Sequence, residues 1–458
     1  MIKTLLIKGY RGFGSNDTEL NFSIPNGTIH SGLNIIVGQN NSGKSTIIES
    51  MKYFANRREK ISFSGSKRNQ LNDDRVLIKI VDENDSVSTI ETISTGGSEA
   101  IKTPIDNKNI IYIPSRRGFN KSFSKNLWNI ENIQRDSNLI NNSDRQVEYN
   151  EFTYLFEELV KNRDEFQKVL KKLTDFPEWT IDLDESGQYF LKVYKNKYYH
   201  TSEGMGDGLI SLMTLVGTLV LSKPNSTILI DEPELSLHPD VLKKLFILLK
   251  NYSTDRQIIL STHSPYFVDI ESIADGAKIY RVVNTDNLTR CYELSNESIS
   301  FFKSVLRDYQ FPHAVGLDTR EIFFMGENII VVEGQEDVVG YNRGLQETTK
   351  QQFNFYGWGA GGASNITKVI RVLQDLGFNK IAAIYDGDKK AEYEKAKSNY
   401  PNLHFEIINK DDIRDKLNDN GEISKEGLLD KKFNLKNEYK EEFIEMFNRI
   451  AKYFNIQY

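Results

Sequence analysis

The stretch LNIIVGQNNSGKST, residues 33–46, decides the fold of this chain. Its first residues, Leu33 to Val37, predict a short buried strand, and Thr46 to Tyr53 predicts the helix that follows. The residues between them, GQNNSGKS, match the pattern G-x-x-x-x-G-K-[ST], in which backbone N–H groups curl around phosphate. Lys44 is expected to reach the β- and γ-phosphates, and Ser45 to ligate Mg²⁺. The residues predicted to bind ATP in this loop are Gly38, Asn40, Asn41, Ser42, Gly43, Lys44, Ser45 and Thr46.

A second stretch, STILIDEPELSLHP, supplies the acids that such a loop requires. Thr227 to Ile230 predicts a buried strand that ends in Asp231, which is placed to hold Mg²⁺ through water. Glu232 follows, placed as the general base that orients the attacking water. A further strand, Gln257 to Ser261, is followed by His263, which can sense or stabilise the γ-phosphate.

The motifs GQNNSGKST, ILIDEPELSLHP and LSTHSP, in that order, carry a family resemblance. The chain resembles the ABC-type ATPase core shared by SMC-like DNA-repair ATPases and the OLD (overcoming lysogenization defect) family. In such proteins a signature segment before the acidic strand contacts the γ-phosphate of the opposite subunit. The resemblance therefore implies ATP held between two subunits, and a homodimer or higher homo-oligomer.

TSEGMGDGLISL, residues 201–212, is similar to that signature segment. Ser202 and Gly204 lie at a predicted helix N-terminus, where free N–H groups and the helix dipole favour phosphate. A capped helix without a ligand is the alternative. The segment departs from the LSGGQ form of transporters, which disfavours an ATPase that drives a membrane transporter.

A long insertion separates Lys44 from Asp231. Within it, Glu151 to Leu173 has apolar residues near helical spacing and predicts an amphipathic helix that packs either on its neighbours or on a partner subunit. The resemblance implies a helical dimerisation insert in this region. Arg116 and Arg117 follow a predicted strand; they either face phosphate or nucleic acid or belong to a solvated loop, which is the favoured reading.

The acids that follow residue 325 predict a second centre. Ile329 to Val332 and Lys380 to Tyr385 are apolar runs that predict buried strands, the first ending in Glu333 and the second in Asp386-Gly387-Asp388. Helical patterns lie between them, which is typical of a parallel sheet. Ligand sites of such sheets gather at the carboxyl edge, so these acids are expected to lie together.

Three carboxylates at one edge favour Mg²⁺ or Mn²⁺, which prefer hard oxygen ligands. Glu333, Asp386 and Asp388 are the predicted metal ligands and catalytic residues, because unpaired buried carboxylates would repel one another. Asp337 lies four residues after Glu333, and a helix starting near Gly334 would direct both acids to the same side. Asp337 is therefore predicted to hold a second ion, as in-line displacement at phosphorus requires.

An apolar strand ending in Glu-Gly, followed by Asp-x-Asp, resembles the TOPRIM domain of topoisomerases, primases and OLD nucleases. An ABC-type ATPase followed by TOPRIM is the layout of the OLD family, whose relatives include phage-defence effectors of Gabija and retron systems. The resemblance implies metal-dependent cleavage or nicking of DNA, gated by nucleotide. It also implies a partner, either a helicase-like protein or a reverse transcriptase with its RNA–DNA product.

The second centre departs from the family pattern in one loop. Gly357 to Asn365 offers no carboxylate, so the second ion depends mainly on Asp337, with Glu392 or Glu394 as helpers. Glu336 is expected to face solvent.

The residues around this centre carry weaker signals. Lys389 and Lys390 either neutralise phosphate charge or are ordinary surface lysines, and the second reading is favoured. The tail after Asp411 is highly charged and has a helical pattern, and no catalytic or binding role is predicted for it.

Composition sets the outer limits. The 458 residues predict two or three domains, and a net charge of −6 argues against a surface that coats nucleic acid non-specifically. No run of 18 apolar residues and no apolar signal region are present, so a cytoplasmic protein without a membrane partner is expected. The single cysteine, Cys291, excludes an internal disulfide or a cysteine metal cluster.

The sequence therefore predicts an α/β protein with an ABC-type P-loop ATPase domain, a helical dimerisation insert and a TOPRIM Rossmann-like parallel-sheet domain. The ATPase domain is predicted at residues 1–130 and 179–322, the insert at 131–178, and the TOPRIM domain with its charged tail at 323–458. ATP and Mg²⁺ or Mn²⁺ are the expected cofactors, and DNA the expected substrate. The alternative is an SMC-like ATPase whose TOPRIM fold recognises nucleic acid or a partner without cutting.

Overall fold

The computed structural model describes residues 1–55, 61–71, 74–103, 109–115, 117, 159–174, 177–183, 185, 189–195, 198–201, 206–307, 320–326, 328–349, 351–418 and 422–456. The chain divides into two compact units. The first unit is Met1–Val268 with Asp275–Cys291, and the second is Asp269–Ala274 with Tyr292–Tyr458. The phosphate-loop motifs lie in the first unit and the acids after residue 325 in the second.

The first unit is built mainly from strands. Its strands are β1 Ile2–Lys8, β2 Thr18–Asn21, β3 Leu33–Gly38, β4 Leu77–Asp82, β5 Val87–Thr92, β6 Ala100–Lys102, β7 Ile110–Ile113, β8 Glu178–Leu183, β9 Tyr189–Lys195, β10 Tyr198–Thr201, β11 Thr227–Asp231, β12 Gln257–Thr262, β13 Lys278–Thr285 and β14 Leu288–Glu293. Its helices are α1 Lys44–Lys52, α2 Arg163–Leu173, α3 Asp207–Leu221 and α4 Pro239–Tyr252.

A six-stranded sheet in the order β14-β13-β3-β12-β11-β7 carries the nucleotide motifs. Strands β13, β3, β12, β11 and β7 run parallel to one another. Every residue of β3, β11 and β12 is buried, which explains why these strands are continuous apolar runs without alternation. Their carboxyl ends meet at one edge of the sheet.

A second, antiparallel sheet has the order β2-β1-β4-β5-β6. Its strands alternate buried and less buried residues, as expected when one face covers a core and the other meets solvent. The covered face packs with α1 and the six-stranded sheet in one apolar cluster, which includes Leu5, Ile36, Ile48 and Ile78.

Gln257, the first residue of β12, joins the two sheets through buried hydrogen bonds. Its Oε1 accepts from the Ile2 N–H at 2.8 Å and from the Thr227 hydroxyl at 2.9 Å. Its Nε2 donates to the carbonyls of Ile2, at 2.6 Å, and Ser23, at 3.0 Å. Both main-chain groups of Ile2 thus depend on this one side chain.

The described part of the predicted insert packs on its own chain. Phe166 and Leu170 of α2 share an apolar cluster with Trp179 of β8 and with Met213 and Val216 of α3. This is the first of the two packings that the amphipathic pattern allows. Residues 131–158 lie outside the described residues, and the dimerisation role stays a prediction.

The second unit contains a parallel sheet and short strand pairs. Its strands are β15 Asn328–Val331, β16 Lys380–Tyr385, β17 His404–Ile407, β18 Asp412–Arg414, β19 Lys416–Leu417, β20 Ile423–Lys425 and β21 Gly427–Leu429. Its helices are α5 Ile270–Ala274, α6 Asn296–Arg307, α7 Gln335–Glu347, α8 Ala363–Asp375, α9 Lys390–Asn399 and α10 Lys440–Tyr453. The sheet order β15-β16-β17 is parallel throughout, and α7 and α10 pack on it through an apolar cluster.

Two features of this unit differ from the sequence prediction. The tail after Asp411 forms the short strands β18 to β21 before α10, because turn residues such as Asn418 interrupt its helical pattern. Helix α6 belongs to the second unit, although residues 179–322 were predicted to belong to the ATPase domain.

No helix within the described residues is both long enough and apolar enough to span a membrane.

Gln257→Leu is expected to lower the free energy of unfolding by about 2–4 kcal/mol, because the buried N–H and C=O of Ile2 lose their partners. Urea unfolding followed by circular dichroism measures the change. Gln70→Leu is the matched control, since Gln70 is exposed and the same substitution there should have little effect. Equal losses in the two variants would contradict the role given to Gln257.

Candidate functional site

The phosphate loop leaves β3 at Gly38 and enters α1 at Lys44. Gly43 has φ +112, which favours glycine, and a Cβ there would lie 2.6 Å from Thr289 Oγ1. A Cβ on Gly38 would lie 2.1 Å from the carbonyl oxygen of Val282. Close packing, against backbone at Gly38 and against the Thr289 side chain at Gly43, therefore requires both glycines of the motif, as does the turn.

The predicted loop residues divide by exposure. Asn40 and Asn41 are exposed at the apex, where Asn41 adopts φ +60. Ser42, Lys44 and Thr46 are buried. The loop thus presents backbone at its apex while its other side chains pack inward.

Lys44 folds back over its own loop. Its ammonium donates to the carbonyls of Gly38, at 3.0 Å, and Gln39, at 2.8 Å. Burial lowers the pKa of Lys44 to about 8, against the opposing effect of the Glu232 and Asp231 carboxylates. The Lys44 charge therefore lies between the phosphate loop and the acids at the end of β11.

Asp231 ends β11 and lies between two hydroxyls. Its Oδ1 accepts from Ser45 Oγ at 3.3 Å and from Ser261 Oγ at the end of β12. Ser45 and Asp231, the two residues predicted to hold the ATP-bound Mg²⁺, are thus brought within hydrogen-bond distance. Ser261, which the sequence analysis did not single out, fixes the carboxylate from the other side.

His263 follows β12 and lies between the loop and the predicted base. Its Nε2 is 3.4 Å from Glu232 Oε1, and its Nδ1 is 3.5 Å from Lys44 Nζ. Glu232 itself adopts φ +48, an unfavourable conformation for a residue with a Cβ. The structure therefore gathers Lys44, Ser45, Asp231, Glu232 and His263 at one sheet edge.

Two further residues of this centre were missed or misread. Glu234 accepts the backbone N–H of His263 at 2.5 Å, and burial raises its pKa. Arg117, read as part of a solvated loop, instead donates to the carbonyls of Asp231 and Glu232 at 2.6 and 2.9 Å. The solvated-loop reading of Arg117 was wrong, because its main acceptors lie on a strand distant in sequence.

The signature residues Ser202 and Gly204 lie outside the described residues, as does Arg116. Helix α3, which the signature was predicted to open, begins at Asp207.

The second centre lies where β15 and β16 end. The two strands are parallel neighbours, with Val331 opposite Ala383. Glu333 follows the first and Asp386 the second; burial raises the pKa of Glu333, and the nearby backbone of Asp386 acts in the opposite direction. These two predicted ligands therefore meet, as the strand-end pattern predicts.

Asp337 lies in the first turn of α7 and is buried. Its Oδ2 accepts the N–H of Gly334 at 2.8 Å, so it caps the helix that it belongs to. Burial raises the pKa of Asp337, and the Glu333 and Asp412 carboxylates add to this effect. Burial likewise raises the pKa of Asp386, with further contributions from Asp337, Glu333 and Asp412.

Asp412, at the start of β18, is a buried acid of this centre that the sequence analysis missed. It pairs with Lys416 at 2.5 Å. The sequence gives little indication of its role, because Asp412 lies in the charged tail that was predicted to be helical and was given no function.

Asp388 differs from the other acids because it is exposed and paired. Lys425 of β20 lies at 2.7 Å and Lys389 at 3.0 Å. Partial burial acts to raise the pKa of Asp388, but hydrogen bonds from these two lysines outweigh it and hold the pKa below its ordinary value. Lys389 thus pairs with a predicted metal ligand rather than lying as an ordinary surface lysine.

Glu336 does not simply face solvent, as was predicted. Arg414 donates to its two carboxylate oxygens at 2.6 and 3.2 Å, and Lys416 lies at 3.5 Å. This acid connects α7 to the β18–β19 segment. Of the suggested helpers, Glu392 is half-buried and Glu394 exposed.

Comparison with known families identifies the first centre. A family described as "AAA domain, putative AbiEii toxin, Type IV TA system" matches residues 33–269, more than half of the chain. The chain belongs to this AAA-domain family. The match runs from β3 past His263, so it contains the whole nucleotide centre and confirms an α/β protein with an ATPase domain. The finer OLD and TOPRIM resemblances stay predictions, because the acids after residue 325 lie beyond the AAA-domain match.

Solved structures of SMC heads are similar to this AAA-domain protein. SmcHead bound to the C-winged helix domain of ScpA is 19% identical, with 66% of this chain and 99% of that chain covered and a TM-score of 0.42. The Smc head domain with an extended coiled coil bound to the C-terminal domain of ScpA, derived from Pyrococcus furiosus, is 16% identical, with 67% of this chain and 99% of that chain covered and a TM-score of 0.43. The SMC head domain from Thermotoga maritima is 15% identical, with 64% of this chain and 99% of that chain covered and a TM-score of 0.36. No curated protein matches the chain.

The chemistry of the acidic centre fits a divalent cation, since its donors are carboxylate oxygens. Glu333 Oε1 and the Tyr385 hydroxyl are buried, and neither has a hydrogen-bond partner in the described part of the chain. The spacing is less favourable. Among the described residues, no group of three or more acidic, histidine or cysteine side chains is arranged to hold a metal ion. Metal binding by Glu333, Asp337, Asp386 and Asp388 therefore stays a prediction.

In this AAA-domain protein, Lys44→Ala is expected to abolish ATP binding, because it removes the ammonium that is expected to reach the β- and γ-phosphates. Titration with a fluorescent ATP analogue in the presence of Mg²⁺ measures it. Lys3→Ala is the control, since Lys3 is an exposed lysine of the same unit paired with Asp85. Retained affinity in Lys44→Ala would contradict the phosphate-loop assignment.

Two glycines of the loop between α7 and α8 provide a second test. Gly359 and Gly362 both have positive φ, +94 and +113, but only a Cβ on Gly359 would meet backbone, 2.5 Å from the Cα of Gly334. Gly362→Ala is expected to cost about 1–3 kcal/mol of unfolding free energy from conformation alone, since φ +113 with ψ 155 is a region that glycine occupies almost exclusively. Gly359→Ala is expected to cost about 1–3 kcal/mol more than Gly362→Ala, because the backbone that follows Glu333 must also move. Urea unfolding measures both, and equal costs would contradict the close contact.

Proposed function

We propose that this chain is an ATP-binding, divalent-metal-dependent DNA endonuclease or nickase of OLD type that acts as an antiphage effector. The observation that carries the proposal is the meeting of Glu333 and Asp386 at the carboxyl edge of β15 and β16, with Asp337 and Asp412 buried beside them. Burial raises the pKa of three of these acids, so gathering them opposes folding, and the cap that Asp337 gives to α7 accounts for only one of them. Carboxylates gathered at high cost are typical of a site that binds cations.

The nuclease step follows from this placement. Bound Mg²⁺ or Mn²⁺ would supply positive charge for the scissile phosphate and activate water. Glu333, Asp386 and Asp388 would hold the first ion and Asp337 the second. Lys389, which lies beside Asp388, adds positive charge where a phosphate would enter.

The nucleotide centre would control this step. Lys44, Ser45 and Asp231 would bind ATP with Mg²⁺. Glu232, which His263 contacts, would orient the attacking water. The pairing of two subunits over ATP through Ser202 and Gly204 is the part of the proposal that the OLD resemblance supplies. Cleavage gated by nucleotide or by a partner then follows from two centres in one chain.

The proposed biological role is inferred from the family description and from the OLD resemblance. The family description names a putative AbiEii toxin of a type IV toxin–antitoxin system, which agrees with an effector whose activity must be restrained. The OLD resemblance adds defence against phage, with a reverse transcriptase and its RNA–DNA product or a helicase-like protein as partner. These partners are proposed from resemblance alone.

A second candidate is an ATPase that binds nucleic acid or a partner through a non-nucleolytic TOPRIM fold. The spacing of the acids favours it, since no three of them in the described residues are arranged for a metal ion. The pairing of Asp388 with two lysines points the same way.

Supercoiled plasmid with Mg²⁺ or Mn²⁺ separates the two candidates. The wild-type protein should convert it to nicked or linear DNA, and Asp386→Asn should reduce the rate by about 100-fold or more, because it removes charge at the end of β16. Asp411→Asn is the control, since Asp411 is an exposed acid next to buried Asp412.

The assay is repeated with ATP, with ADP and without nucleotide. Failure to cut under all three conditions and with both ions, by a protein that still binds ATP, would support the binding protein. Equal cutting by wild type and Asp386→Asn would remove the acidic centre as the site.

A further inference from the structure

Arg117 occupies an unusual place for a residue in a basic loop. It follows β7, the edge strand that pairs with β11, and its guanidinium reaches across to the carboxyl end of β11. One nitrogen, Nη2, donates to the carbonyls of Asp231 at 2.6 Å and Glu232 at 2.9 Å. The other, Nη1, donates to Ser211 Oγ of α3 at 2.8 Å.

The acceptors of Arg117 are the backbone carbonyls of the two acids at the end of β11. Asp231 and Glu232 are consecutive, and both carbonyls turn toward one cation because Glu232 adopts φ +48. That left-handed conformation is strained for a residue with a Cβ and persists only where its surroundings hold it. The Arg117 guanidinium satisfies two buried carbonyls at this point, which an apolar residue could not do.

The charge of Arg117 also fits its surroundings. Burial lowers the pKa of Arg117 to about 10, while Glu234, Asp231 and Tyr112 act to raise it, so the side chain stays charged at neutral pH. The guanidinium therefore lies among the carboxylates of the nucleotide centre without bonding to them. It contacts their backbone.

We infer that Arg117 is a positioning residue for ATP hydrolysis, which holds the backbone of Glu232 so that its carboxylate faces the attacking water. The inference rests on the proposed roles of Lys44, Asp231 and Glu232. Arg117 acts through the main chain of Asp231 and Glu232, to whose carbonyls it donates.

The contact with Ser211 extends the role of Arg117. Ser211 lies in the first part of α3 and inside the predicted signature segment, residues 201–212. A shift of α3 along its axis would move the Ser211 hydroxyl and pull on the guanidinium that holds Glu232. Arg117 thus joins the water-orienting residue to the helix nearest the predicted subunit contact, so that hydrolysis depends on where α3 sits.

Arg256 provides a matched control within the same unit. It also uses a guanidinium to hold a carbonyl of the α3 segment, donating to Ser222 at 2.8 and 3.3 Å, and it pairs with Asp255. Ser222 lies at the opposite end of α3 from Ser211. A loss of stability common to carbonyl-bonding arginines would appear in both variants, whereas a loss of positioning would appear only at Arg117.

The test compares Arg117→Met, Arg117→Lys, Ser211→Ala and Arg256→Met in the full chain. Arg117→Met should lower kcat for ATP hydrolysis about 10- to 100-fold while the Kd for a fluorescent ATP analogue changes little, because misplaced catalytic groups cost rate rather than affinity. Arg117→Lys should recover part of the rate, since an ammonium can hold one carbonyl. Ser211→Ala should lower kcat by a smaller factor, and Arg256→Met should leave it unchanged.

Trapping of ADP with aluminium fluoride gives a second readout, since this transition-state mimic requires the geometry that Glu232 provides. Wild type should retain the complex and Arg117→Met should lose it. Equal turnover or equal trapping in the two overturns the inference while leaving the ATPase proposal intact. A loss confined to ATP affinity, or an equal loss of kcat in Arg256→Met, also overturns it. Absence of both turnover and trapping in wild type overturns the hydrolysis proposal and, with it, the role of Arg117.

Discussion

Buried central strands exclude charge along their length, and the acidic centres of both halves of the molecule depend on this constraint. In the first unit, β3, β11 and β12 are buried throughout, and their one charged residue, Asp231, lies where β11 ends. In the second, β15 and β16 end the same way, in Glu333 and Asp386. Because parallel strands end at one edge, residues far apart in sequence become neighbours there.

This constraint explains how much of the site the sequence predicts. The sequence predicts that Lys44, Asp231 and His263 lie close together. Each belongs to a motif that follows an apolar run, and such a run can be recognised as a buried strand from the local sequence. Asp412 could not, since it precedes a strand of three residues in a tail with a helical pattern. Arg117 could not either, because its acceptors are backbone carbonyls, which carry no residue signature at all.

The two centres balance their charges differently. At the nucleotide centre, the Lys44 and Arg117 cations are built into the same edge as the acids, so the negative charge is compensated from within. Within the described part of the second centre, lysines pair with the exposed Asp388 and with Asp412, while burial raises the pKa of Asp337 and Asp386. This difference is the physical basis of the proposal that the second centre binds a cation from solution.

The left-handed backbone at Glu232 restricts what evolution can place there. Glycine would relieve the strain but remove the acid, and asparagine or aspartate would tolerate the conformation with a shorter reach. β-branched residues would fit neither demand. Few single substitutions at this position keep both the backbone conformation and the carboxylate. Loss of the acid would therefore cost little folding stability, but it would remove the proposed turnover of ATP.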